Sequence, residues 1–103
     1  MLLVNTDFIS GKELETIGLV SGAMIQSKHM GKDIGAAFKG VVGGELKAYS
    51  EMLNESREVA AQRMKDAAHA MGADAIINVR FTTSAVIQGA AEILAYGTAV
   101  KFK

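Results

Sequence analysis

Three side chains have the right chemistry to take a metal ion: His29, Asp33 and His69. Imidazole nitrogen and carboxylate oxygen are ordinary ligands for zinc, and a zinc site needs three or four of them to converge. His29 and Asp33 stand four apart. That spacing shares a face only within a helix, and Asp33 reads as a helix start. Spacing along one chain therefore assembles no site. A ring of copies could supply one ligand per subunit, which spacing does not reveal. Taken singly, His29 reads as a solvated loop histidine. His69 reads as a flank of a helix stripe, or as a favourable charge at a helix C-terminus. The chain has no cysteine. Thiolate zinc sites, iron–sulfur sites and disulfides are thereby excluded.

Six methionines offer thioether sulfur, which suits Cu(I). Met64 and Met71 fall on an apolar helix stripe and Met24 in a strand pattern, so core packing accounts for them. Met52 is expected partly exposed and Met30 in a loop. Ser21 lies in GLVSG, without the glycines two before and two after that a nucleophile elbow requires. No third group completes a triad with His29 or His69. The stretch GKDIGAAFKG lacks the GxG start of a dinucleotide fingerprint, and no GxxxxGK[ST] occurs. Tyr49 and Tyr96 have rings that could stack on a flavin; as amphipathic residues they also serve for packing. These residues name no cofactor.

Bulk properties narrow the field. A chain of 103 residues, half of them apolar, is expected to be a single folded domain, residues 1–103. Lys plus Arg number 11, and so do Asp plus Glu. A dedicated nucleic-acid surface needs a basic excess, so nucleic acid is not an expected partner. The start, MLLVNTDF, lacks the basic residues and the run of about 7–15 apolar residues of a signal peptide. No stretch reaches the roughly 18 apolar residues of a membrane span. The chain is read as cytoplasmic, with no membrane partner.

The elements that must position these residues follow from periodicity. Met1–Val4 is a short apolar run suited to an edge strand. Residues 13–27, ELETIGLVSGAMIQS, read as a long strand with a bulge near Ser21-Gly22, because Gly18 and Gly22 would each cost a helix about 1 kcal/mol. Residues 28–32 form a polar loop. DIGAAFKGVV reads as a short helix with Ile34, Ala37, Phe38, Val41 and Val42 on one face. The stretch from Gly43 to Gly72 reads as one amphipathic helix of about 40 Å. Its stripe is Leu46, Tyr49, Leu53, Ala60, Met64, Ala67 and Met71, with Gly72 placed for a left-handed C-terminal cap. Such a helix must project, lie along a long sheet, or be covered by another subunit.

Residues 74–88 alternate strictly, with Ile77, Val79, Phe81, Ala85 and Ile87 on one face. A turn at Gln88-Gly89-Ala90 leads into a last strand, residues 91–103. Its two faces carry Leu94, Tyr96, Val100 and Phe102, and Ile93, Ala95, Gly97 and Ala99. The order is β, β, α, α, β, β: an α+β fold with a mostly antiparallel sheet and one short and one long helix. Strands apolar on both faces need cover on both sides. A neighbouring copy is expected to supply one cover, which implies a closed homo-oligomer.

These pieces together resemble a known family. The run DIGAAFKGVVGGELKAYSEMLNESREVAAQRMKDAAHAMGADAIINVRF, with GLVSG before it and GTAV near the end, is similar to the YbjQ-type family. The specific parts are Gly43-Gly44 ahead of Tyr49, then Ser56-Arg57 and Ala60, then Gly72-Ala73-Asp74-Ala75-Ile76. Members are small bacterial and archaeal proteins of unassigned activity that carry the label "putative heavy-metal-binding". The resemblance implies a subunit like that of dodecin and a ring, with a pentamer as the expected number. Glu45 and Lys32 stand where an Arg is common in relatives; if those positions form an anion site there, the carboxylate of Glu45 counts against one here.

Three functional readings follow. The first is a non-enzymatic homo-oligomeric module of unknown function with a small-ligand or metal site at subunit interfaces. The second is a protein that binds or handles heavy-metal ions. The third is an enzyme with an interface active site.

Overall fold

The computed structural model describes residues 1–26, 47–87 and 90–103. Among these residues are four strands and one helix: β1 Leu2–Leu3, β2 Leu14–Gln26, α1 Lys47–Ala70, β3 Ala75–Ile87 and β4 Ala90–Phe102. The order across the sheet is β1-β3-β4-β2. β4 pairs antiparallel with both β3 and β2, and β1 pairs parallel with β3. The fold is α+β, as expected, with a mixed sheet. The expected loop with His29, the short helix DIGAAFKGVV, the glycine pair Gly43-Gly44 and Glu45 lie outside the described residues.

The long helix lies along the sheet. Its 24 residues run about 36 Å, against about 43 Å for a 13-residue strand. It packs mainly over β2 and β4. The buried stripe differs in part from the expected one. Ser56, Ala60, Met64 and Ala68 are fully buried, with Leu53 and Ala67 packed beside them. Met71 is exposed instead of continuing the stripe. The chain turns away there in a Schellman cap: Ala73 N donates to Ala68 O and Gly72 N to His69 O, both at 3.0 Å, with Gly72 at φ 80. Ala68 and Ala73, both buried, supply the apolar contact that accompanies this motif.

The helix-side core joins that stripe to Val20, Ile76, Val79, Ile93, Ala95 and Ala99. A second cluster lies on the opposite face of the sheet. There Ala75, Ile77 and Val100 are covered by Val4 and Ile9 from the segment between β1 and β2 and by Leu14, the first residue of β2. Ile77 and Val79 therefore face opposite sides, which breaks the strict alternation read from the sequence. The cause is a bulge: Ile77 pairs with Thr98 and Arg80 with Tyr96, so Asn78 and Val79 share one opposing residue. Asn78 takes φ 54, a left-handed conformation that asparagine tolerates better than most residues. Its N–H donates to Thr6 O, and the Arg80 guanidinium donates to Asn5 O at 2.9 Å.

β2 is a strand throughout, as expected, but its bulge falls between Thr16 and Gly18 and not at Ser21-Gly22. Gly22 has a different task. A Cβ there would stand 2.3 Å from Met64 N and 2.4 Å from Ala60 O, so the helix backbone rests directly on the glycine.

Candidate functional site

Among the described residues, no group of three or more His, Asp or Glu side chains converges as a metal site would require. His69 is exposed in the last helical turn, where a positive charge would favour the C-terminal dipole. His29 and Asp33 lie outside the described residues. Ser21 is exposed on the sheet face away from the helix. The sheet stands between it and His69, so the two form no nucleophile–base pair within one copy. Met64 is fully buried and Met24 packs against the core, which makes both packing residues. Tyr96, read from sequence as a packing residue, is 37% exposed and helps to form a surface patch.

Among the described residues that patch is the main open feature. On the face opposite the helix, Leu19, Ser21, Ala23 and Ile25 of β2 pair with Thr98, Tyr96, Leu94 and Glu92 of β4. The segment before β2 covers only the other end of this face, over Val100 and Ile77. Leu19 is left 77% exposed and Ile25 55%. A contiguous apolar surface of this kind marks an interaction site.

A part-buried polar contact ties the sheet to the helix at the same end. Gln26, the last residue of β2, donates from Nε2 to Ser56 Oγ at 2.6 Å. Ser56 Oγ in turn donates to Met52 O at 2.9 Å. Residues 1–26 and 47–70 are thus joined across the core by one amide and one hydroxyl. The helical periodicity reading passed over Ser56 because a serine carries no apolar signal; the signal available was its position, four before Ala60 and eight before Met64. Loss of the hydroxyl leaves the Gln26 amide without its partner. Ser56→Ala is expected to cost about 1–2 kcal/mol in urea unfolding. The double variant Ser56→Ala/Gln26→Leu should cost less than the two single variants added together. Strict additivity would show that the contact contributes no coupling.

Among the described residues the features are an apolar patch, a satisfied polar clamp, and no buried side-chain polar atom without a partner. No helix among the described residues is long and apolar enough to cross a membrane.

Comparison with known proteins gives the family. A UPF0145 protein of Clostridium novyi is 65% identical over 101 residues, covering 98% of each chain. One of Alkaliphilus metalliredigens is 64% identical over 102 residues, covering 99% of each. The archaeal UPF0145 protein of Methanosarcina acetivorans is 59% identical over 102 residues, covering 98% of this chain and 96% of its own. These relatives are named by family alone, with no activity or ligand. Among solved structures, a protein of unknown function of the DUF74 family from Pediococcus pentosaceus superposes with a TM-score of 0.71. It covers 100% of this chain and 98% of its own at 14% identity, a likeness of fold alone. The YbjQ family model, described as "Putative heavy-metal-binding", matches residues 1–103, and this chain belongs to that family.

Proposed function

We propose that the protein is a non-enzymatic homo-oligomeric module acting in the cytoplasm, built from single-domain subunits that meet through the uncovered sheet face. Five copies is the number the family resemblance implies. The observation that carries the reading is the open apolar face, with Leu19 77%, Ile25 55% and Tyr96 37% exposed. Apolar area of this kind is stabilised when removed from water by about 25 cal/mol per Å². A formal net charge of zero sets no long-range repulsion between copies. Subunit interfaces of a ring would also offer concave sites lined by residues from two subunits, fit for a small ligand.

Light scattering on the native protein is expected to give five times 10.9 kDa. Leu19→Asp/Tyr96→Asp should run as a 10.9 kDa monomer with an unchanged far-UV spectrum. A wild-type protein that is monomeric at micromolar concentration overturns the reading.

A second reading, metal-ion binding, is favoured by the family description. Its ligands would come from two copies, or include positions outside the described residues such as His29 and Asp33. Elemental analysis of protein purified without a histidine tag separates the readings. Stoichiometric metal supports the second. Substoichiometric metal, together with no heat on titrating zinc or copper, removes it.

A further inference from the structure

We propose that Met71 is a peroxide-sensitive modification site, and that its oxidation loosens the C-terminal end of α1 from β2. The described methionines differ sharply in access. Met64 is fully buried, and Met24 and Met52 are partly buried. Met1 and Met71 are exposed, at 43% and 38%. Met1 precedes the first strand. Met71 stands where the helix meets the sheet. Its N–H closes the helical ladder, donating to Ala67 O at 3.2 Å and to Ala68 O at 3.0 Å. The residues on either side of it make the cap, Gly72 N donating to His69 O and Ala73 N to Ala68 O. Its methyl carbon lies over the backbone of Gly18, 3.8 Å from where a Cβ on that residue would stand. Gly18 follows the bulge of β2. One part of the side chain thus rests on the strand, and the rest is open to water and to a dissolved oxidant.

The oxidant is a peroxide, hydrogen peroxide or an alkyl hydroperoxide. A lone pair of the thioether sulfur attacks the outer peroxide oxygen. The S–O bond forms as the O–O bond breaks, and the departing oxygen takes up the proton to leave as water or an alcohol. Sulfur gives up two electrons and the peroxide accepts them. The product, methionine sulfoxide, is polar where the thioether was apolar, and sulfoxide reductases return it to methionine. A sulfoxide oxygen is drawn to water, which pulls the side chain off Gly18 and removes an apolar contact from the turn that the cap holds. Met64 is shielded from the same reagent by its burial.

Hydrogen peroxide added to the native protein, followed by peptide mass spectrometry, reads the selectivity. Met71 should be oxidised at least about tenfold faster than Met64, since susceptibility follows exposure. The oxidised protein should unfold about 4 °C lower than the untreated one, with both midpoints taken at one protein concentration so that any self-association weighs equally. Met71→Leu keeps an apolar side chain without sulfur and should hold its midpoint through the same treatment, whereas Met1→Leu should lose as much as wild type. Met71→Gln places a polar side chain of similar length over Gly18 and should show the lowered midpoint with no peroxide. Equal rates at Met71 and Met64 overturn the proposal. An unchanged midpoint after full oxidation of Met71 overturns it too, and so does an equal loss in Met71→Leu and wild type.

Discussion

Gly22→Ala is expected to destabilise the protein by about 3 kcal/mol or more, the upper end of the cost of overpacking. The reason is geometric. The added carbon would stand 2.3 Å from Met64 N, 2.4 Å from Ala60 O and 2.8 Å from Arg63 C. These are helix backbone atoms, which no rotamer change moves aside. The helix must lift from β2, and lifting it opens the core around Met64, Ala60 and Val20. For a chain of this length the midpoint of thermal unfolding should fall by about 12 °C or more. Scanning calorimetry of the variant checks this, and a loss under about 3 °C would show that the helix seats itself elsewhere at little cost. Gly18→Ala would be strained for a different reason: its added carbon meets only Met71 Cε, at 3.8 Å, but Gly18 stands at φ 158, a backbone conformation that L residues rarely adopt.

Met64→Ala is expected to cost about 3 kcal/mol, within the range of roughly 2–5 kcal/mol seen when a long buried side chain is cut back. Met64 is fully buried at the centre of the helix stripe, between Ala60 and Ala68. Small residues on either side leave nothing large enough to fill the void. Met64→Leu, which conserves volume, should cost under about 1.5 kcal/mol. The pair of variants separates packing from sulfur chemistry. A thioether ligand for a soft metal would be lost as fully in the leucine variant as in the alanine one. Chemical denaturation of both, with and without Cu(I), distinguishes the two roles. Equal stability of the alanine variant and wild type would contradict the observed burial.

Periodicity carried much of the fold. The stripe of Leu53, Ala60, Met64 and Ala67 was legible because helical burial repeats every three to four residues. The glycine at 72 was legible as a cap because few other residues take a left-handed conformation cheaply. The last strand was legible on both faces, since its alternation is unbroken from Ile93 to Phe102. The bulge at Asn78 was not. A bulge shifts the alternation by one residue, and the run from Ile77 to Phe81 alternates well enough to hide it. Gly22 suggested a bulge when its task is a close approach; both uses of glycine in a strand look alike until the partner is in place. Met71 misled for a related reason. Residue type reports that burial would be favourable, and it says nothing of whether a partner reaches that far.

The candidate site divides the same way. His29, Asp33 and His69 were singled out by ligand chemistry alone; of the three, only His69 lies among the described residues, exposed in the last helical turn. The Gln26–Ser56 contact joins residues 30 apart and had no local signature.

By itself the sequence determined the α+β class, the long helix with its glycine cap, the central strands and the family, because these rest on local periodicity and on residue types at short spacing. Only the tertiary structure decided which strands stand outermost, which face of the sheet stays open, where the helix backbone touches a glycine, and which serine is buried. Those depend on contacts between residues tens of positions apart, and the energies of such contacts are not written in any local pattern.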